Sequence, residues 1–243
     1  MRSPALLRLG VSAMMMSACS NATLSLLELD HGLLGHWALD ESHVGSPAVD
    51  SSGFGNDGLP SADPPVPVAD VPPVHFPNPY SLSFNGQEQW ISIGNPALLN
   101  LGGPVSVAAW LRASATDGLR DIVAHGYRLN PGFDLALRVN DGSYEFTMWD
   151  GATNHNVTAA MDPPQVARWV HLCGVYDNAG YRLYVDGTLV ATRNDPAAPA
   201  ANVDTDWTIA GRPSDRQFVG SIDDVRIYGR ALAAEEVLAL YQR

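Results

Sequence analysis

The loop DSSGFGNDG, residues 50–58, offers Asp50, Asn56 and Asp57 as side-chain oxygen donors, and three glycines that let carbonyl oxygens converge. Hard oxygens on a glycine-rich turn are what a calcium ion takes. The spacing is not that of an EF-hand, because Phe54 stands where a ligand is needed. The bland alternative is a loop of Asx turns whose carboxylates serve the backbone. Acid–base hydrolysis would need two carboxylates together. The chain has only six Glu (Glu28, Glu41, Glu88, Glu145, Glu235 and Glu236), and Glu145 alone lies deep in a strand-like run. Thr147, two residues on, cannot be its acid or base partner, so neither glycosidase route is open to it. His36, His43, His75, His125, His155 and His171 are dispersed, and no zinc spacing, nucleophile elbow or phosphate loop accompanies them. No catalytic residue is expected, and the chain reads as a non-enzyme.

Recognition is the third chemistry. In SYEFTMW, residues 143–149, Tyr144, Phe146 and Met148 share one face, and Glu145, Thr147 and Trp149 share the other. If the first set packs inward, Trp149 projects outward beside the polar loop from Gly151 to Asn156. Trp149, Asn154 and His155 then form a ligand patch, with an aromatic face for a sugar ring and polar groups for its hydroxyls. Tyr127 and Arg128, at the end of LRDIVAHG, are candidate neighbours. The alternative is that Trp149 only packs a loop.

The elements that must position these residues are short and mostly β. The alternating runs are LLGHWALDE (33–41), YSLSF (80–84), QWISIG (89–94), VSVAAWLRA (105–113), LRDIVAHG (119–126), FDLALRV (133–139), SYEFTMW, ARWVHLCGVYD (167–177), YRLYVDG (181–187), TLVATR (188–193), WTIAG (207–211) and FVGSIDDVRIYG (218–229). Asp141-Gly142 and Asp186-Gly187 supply the positive φ angles of tight hairpin turns. With 22 Gly and 18 Pro, this pattern predicts an all-β, two-sheet antiparallel sandwich. AAEEVLALY, residues 233–241, has helical spacing and predicts one short C-terminal helix. Residues 60–79 hold eight Pro and read as an extended surface insertion. The net charge of -12, with every basic residue an Arg, excludes a basic nucleic-acid surface.

The first eighteen residues read as an export signal: Arg2 and Arg8, then the apolar run Leu9 to Ala18, too short to span a bilayer. Met16-Ser17-Ala18-Cys19 resembles the lipobox of bacterial lipoproteins. That resemblance implies cleavage before Cys19, lipidation of Cys19, and a mature charge of -14 once Arg2 and Arg8 are gone. The alternative is an ordinary secretory peptide. Residues 19–32 read as a tether and 33–243 as the domain. Cys173 would then have no partner, and its alternating run makes it a small buried apolar residue.

Four stretches, LLGHWALDE with DSSGFGNDG, SLSFNGQEQWISIG, WVHLCGVYDNAGYRLYVDGTLV and GSIDDVRIYGRALAAEEVLALY, resemble the laminin-G-like jelly roll of the concanavalin A-like superfamily. In that family the 50–58 loop lies near the last long strand, where an Asp before a V-R-I-Y run joins a structural calcium site. The resemblance therefore adds Asp223 to Asp50 and Asn56. Strand alternation sends Asp223 and Asp224 to opposite sides, so only one of them would face the site. Ala233 stands where a helix-capping Ser or Thr is common. The expected protein is a monomeric, non-catalytic binding module, lipid-anchored in a bacterial cell envelope and stabilised by calcium, with a glycan as its partner. A protein-interaction or adhesion domain for an envelope or matrix protein is the first alternative. An atypical carbohydrate-active enzyme is the second.

Overall fold

The structure is a computed structural model, and it describes residues 29–126, 134–150, 152–161, 166–199, 204–213 and 215–243. The signal segment, the lipidation candidate Cys19, and Tyr127 and Arg128 lie outside the described residues.

Fifteen strands are described: β1 (Leu33–Trp37), β2 (Leu59–Pro60), β3 (Val66–Val68), β4 (Ser81–Asn85), β5 (Ile91–Gly94), β6 (Val105–Ala113), β7 (Leu119–His125), β8 (Asp134–Asn140), β9 (Ser143–Trp149), β10 (Asn154–Ala160), β11 (Val170–Tyr176), β12 (Gly180–Val185), β13 (Thr188–Asn194), β14 (Trp207–Ile209) and β15 (Val219–Tyr228). They form two antiparallel sheets. One has the order β13-β12-β11-β6-β15-β4-β3, with β1 also paired to β15, and the other the order β10-β9-β8-β7-β14-β5-β2. This is the expected two-sheet jelly roll.

Alternation builds the core. Leu82, Phe84, Val107, Leu111, Leu172 and Ile222 of the eight-stranded sheet meet Leu137, Phe146, Trp207 and Ile209 of the seven-stranded one. Closeness of the layers forbids a side chain at Gly174, where a Cβ would sit 2.3 Å from the Phe146 ring. Both predicted hairpins form. Asp141 and Gly142 have φ of 41° and 77°, Asp186 and Gly187 have 50° and 74°, and each pair joins consecutive strands.

A second apolar layer covers the outer face of the eight-stranded sheet. The helix α1 (Ala234–Tyr241) buries Val237 and Leu240 against Cys173, Val175, Tyr184 and Tyr228. Cys173 is thus buried under this helix, and burial pushes its thiol far up. Leu29, within the stretch read as a tether, is buried in the same layer.

Two elements depart from the sequence expectation. Asn154–Ala160 was expected to begin as a polar loop, yet it is strand β10, paired along its length with β9. Its asparagines have low strand propensity, and the pairing is carried by Val157 and Ala159 packing on the core. Within the Pro-rich insertion, Val66–Val68 pairs with β4. Pro67 is tolerated there because β3 is an edge strand and its missing N–H costs no internal ladder bond.

Helix α1 starts without a side-chain acceptor at Ala233. Glu236 reaches back to the Ala233 N–H at 2.8 Å and forms a bidentate pair with Arg230, at 2.7 and 2.6 Å. One half of a reciprocal cap is therefore present and the other is lacking. Ala233→Ser should add an acceptor for a first-turn N–H and stabilise the protein by about 1 kcal/mol. A urea melt reads this as a higher midpoint at unchanged slope.

Candidate functional site

Three polar loci were expected or emerge, and their chemistry differs. The first is the loop at residues 50–58, which lies against β1 and through it against β15, as expected. Asp50 accepts the backbone N–H of His36 (3.0 Å) and Ser52 (2.9 Å) on Oδ1, and that of Asn56 (2.9 Å) on Oδ2. Burial raises its carboxyl, but these bonds outweigh it and hold Asp50 below its usual value. Asp57 accepts the Asp50 N–H, and the Asn56 carbonyl accepts the Trp37 indole N–H.

Alternation implied that one of Asp223 and Asp224 faces the site while the other pairs or is solvated. Both are buried, at 0% and 5% exposure. A β-bulge is the reason: Asp224 has φ 45°, and the register with β6 shifts between Asp223 and Arg226. Asp224 accepts from Arg226 (2.9 Å) and faces His36 Nε2 at 2.6 Å. Burial opposes its charge, yet Arg226 and His36 hold its carboxyl far below the usual range. Asp223 accepts from Asn78 (2.9 Å) and from the Asp224 N–H (2.8 Å), and burial pushes it up to about 8. Asp50 and Asp223 thus accept from turn and strand N–H groups and from Asn78, and Asn56 Nδ2 donates to the Leu34 carbonyl at 3.3 Å. Among the described residues no group of three or more His, Cys, Asp or Glu is placed to hold a metal ion.

The second locus is the face of the seven-stranded sheet that carried the predicted patch. Tyr144, Phe146 and Met148 pack inward, as expected, and Trp149 is half-buried. Asn154 is the cross-strand partner of Trp149, but its Oδ1 accepts from Thr147 Oγ1 at 2.5 Å. His155 is held between two carboxylates, Asp195 at Nδ1 (2.8 Å) and Asp150 at Nε2 (2.9 Å). The three residues are therefore adjacent, yet Asn154 and His155 serve internal bonds. His155 joins β10 to Asp195, just past the end of β13 in the other sheet, and Arg193 at 2.9 Å completes the clasp.

Beside this patch the sheet holds charges that composition did not reveal. Arg138 pairs across strands with Glu145, its Nε at 3.0 Å and Nη2 at 2.5 Å from Oε1. Asn140 donates to Oε2 of the same carboxylate at 2.7 Å. Asp121 takes Arg212 Nε at 2.5 Å and lies 4.0 Å from Arg138. Two guanidiniums thus face two carboxylates, all buried. The signal was in the sequence: Asp121 and Arg138 interrupt otherwise apolar strand runs.

Of the strand histidines, His36 is bonded at both nitrogens, to Asp224 and Ser51. His171 is buried against Trp110 with its Nδ1 unpartnered, and burial pushes it down to about 4. The third locus is a small pocket on the eight-stranded sheet between Asp70 and Arg112. No sequence feature pointed to it.

A family described as the concanavalin A-like lectin/glucanases superfamily matches residues 85–238. The chain belongs to this superfamily. No curated protein matches it in sequence. Among solved structures it is similar to domain 4 of AbnA, a GH43 extracellular arabinanase from Geobacillus stearothermophilus, in complex with arabinotriose. The identity is 18% and the TM-score 0.68, over 86% of this chain and 98% of that one. It is also similar to the binding domain of Paraclostridial Mosquitocidal Protein 1 (16% identity, TM-score 0.69, 88% of this chain and 52% of that). The binding domain of botulinum neurotoxin DC in complex with rat synaptotagmin II is a third (13%, TM-score 0.63, 88% and 52%). The chain spans about half the length of these two toxin binding domains. At such identities the shared property is the jelly roll, and the superfamily hosts binding and catalysis alike.

Two measurements follow from the geometry. Burial alone would lower His155, but Asp195 and Asp150 outweigh it and raise its pKa above 6.5. A raised folded pKa adds stability that is fully present below the unfolded value and is lost as pH rises through the folded one. Urea midpoints should therefore fall between about pH 6 and pH 9, and His155→Gln should lose that part of the slope. Glu145→Ala leaves Arg138 buried without its main partner and should cost about 3–5 kcal/mol in the same assay.

Proposed function

We propose that this protein is a non-catalytic glycan-binding module, exported and held at the cell envelope through Cys19. The observation that carries the reading is the internal pairing of Glu145 and Asp121, two buried carboxylates of the seven-stranded sheet. Glu145 is bonded to Arg138 and Asn140, and Asp121 to Arg212. A glycosidase needs one carboxyl poised as an acid and a second as base or nucleophile. Charges committed to each other within a strand ladder rigidify a sheet instead. The likeness to an arabinanase accessory domain that holds arabinotriose supports a saccharide as the ligand, because that domain is matched over nearly its whole length.

A protein partner is the second reading. Leu189 and Val190 on edge strand β13 and Leu238 on α1 are exposed. A similar toxin binding domain is held by a protein, rat synaptotagmin II. Neither reading needs a bound metal.

A polysaccharide array probed with the purified protein, in calcium and again in chelator, separates the readings. Retention on a saccharide without release of reducing ends is the expected result. Released product would make it an enzyme, and a blank across neutral, acidic and amino sugars would transfer the assignment to a protein partner. Binding that survives chelation would remove calcium from recognition.

A further inference from the structure

The eight-stranded sheet carries a pocket of about 240 Å³ lined by Asp70, Ser83, Arg112, Ser114, Ala167 and Ser221. Strand register builds its floor. Ser83 on β4 pairs with Ser221 on β15, and Ser221 pairs with Arg112 on β6. Three polar side chains therefore stand in one cross-strand row. Their neighbours Leu82, Phe84, Leu111 and Ile222 fill the inter-sheet core, which leaves the row on the outer face. Gly220, at φ +133°, lets the backbones close up beneath it: a Cβ there would meet the Arg112 carbonyl oxygen at 2.2 Å.

The charged pair above this floor is held in place. Arg112 Nε donates to the Ala167 carbonyl at 3.0 Å, and Nη1 pairs with Asp70. The other Asp70 oxygen accepts the indole N–H of Trp169 at 3.2 Å, and the Ser81 hydroxyl anchors the Asp70 carbonyl at 2.7 Å. Trp169, half-buried, directly precedes β11, whose first residue Val170 pairs with Leu111, the neighbour of Arg112. Arg112 and Asp70 remain 39% and 45% exposed, open to a ligand.

We propose that this pocket is the glycan subsite and that it seats one neutral sugar unit through a vicinal diol. The proposal rests on the glycan-binding reading and adds its place and ligand class. A carboxylate acceptor beside a guanidinium donor matches two adjacent hydroxyls, each able to give and take a hydrogen bond. The serine hydroxyls of the floor serve the remaining ring oxygens. Arg112 and Asp70 cancel, so the pocket has no charge to attract a uronate, and the net charge of -12 repels one. Its volume lies below the roughly 300 Å³ at which drug-sized sites begin, which suits a single ring. Trp169 does not line the pocket but is tied to it through its hydrogen bond to Asp70.

The test uses the six Trp indole N–H signals in a proton–nitrogen NMR spectrum, with Trp169 assigned by Trp169→Phe. Neutral methyl pyranosides and furanosides, and the matching uronates, are titrated into the purified protein. The expected result is a saturable shift of the Trp169 signal with a neutral glycoside. Arg112→Met and Asp70→Asn should each weaken it about tenfold or more. Unaltered melting temperatures show that the two exposed substitutions have not unfolded the domain. Shifts confined to Trp149, or array binding that survives Arg112→Met, would overturn the pocket and leave glycan binding standing. A response to uronates alone would overturn the ligand class. Silence in both the titration and the array would remove both readings together.

Discussion

The long strand Val219–Tyr228 is the constraint on which the rest of the molecule depends. Its first half pairs with β4, its second with β1, and β6 runs along its other side through both. The bulge at Asp224 lets one strand serve these partners, and it places a carboxylate where water cannot reach it. A buried charge is tolerated only when paired, so Arg226 and His36 must stand where they do. Their positions set the register of β1, the seat of the 50–58 loop, and the surface on which the C-terminal helix lies.

The same rule of compensated charge organises both sheets. The chain has no Lys, and the guanidiniums of Arg138, Arg212 and Arg226 each face buried carboxylates with the fork geometry that a Lys ammonium lacks. Paired in this way, Asp121 and Glu145 of the seven-stranded sheet hold structure. The loci differ most in exposure. Asp121, Glu145 and Asp224 are sealed within the fold, whereas the Arg112–Asp70 pair meets solvent at the rim of a pocket. A buried pair can only stabilise or specify; an open one can also exchange protein hydrogen bonds for those of a ligand.

The sequence by itself determined the sandwich, because a two-residue period with Asp-Gly turns admits one solution: strands that bury alternate residues between two sheets. It also determined the short terminal helix, the burial of Cys173, and the inward set Tyr144, Phe146 and Met148. Those are local properties of period and turn chemistry. Only the tertiary structure decided which polar residues meet. It made Asn154–Ala160 a strand because β9 and the core gave it a partner, which its own composition could not. It set His155 between Asp195 and Asp150, and it buried both Asp223 and Asp224 at a bulge that alternation cannot foresee. It also brought Asp70, Arg112 and Trp169 together across up to 99 residues of chain. Register between strands distant in sequence sets such meetings, and no local pattern of residues encodes that register.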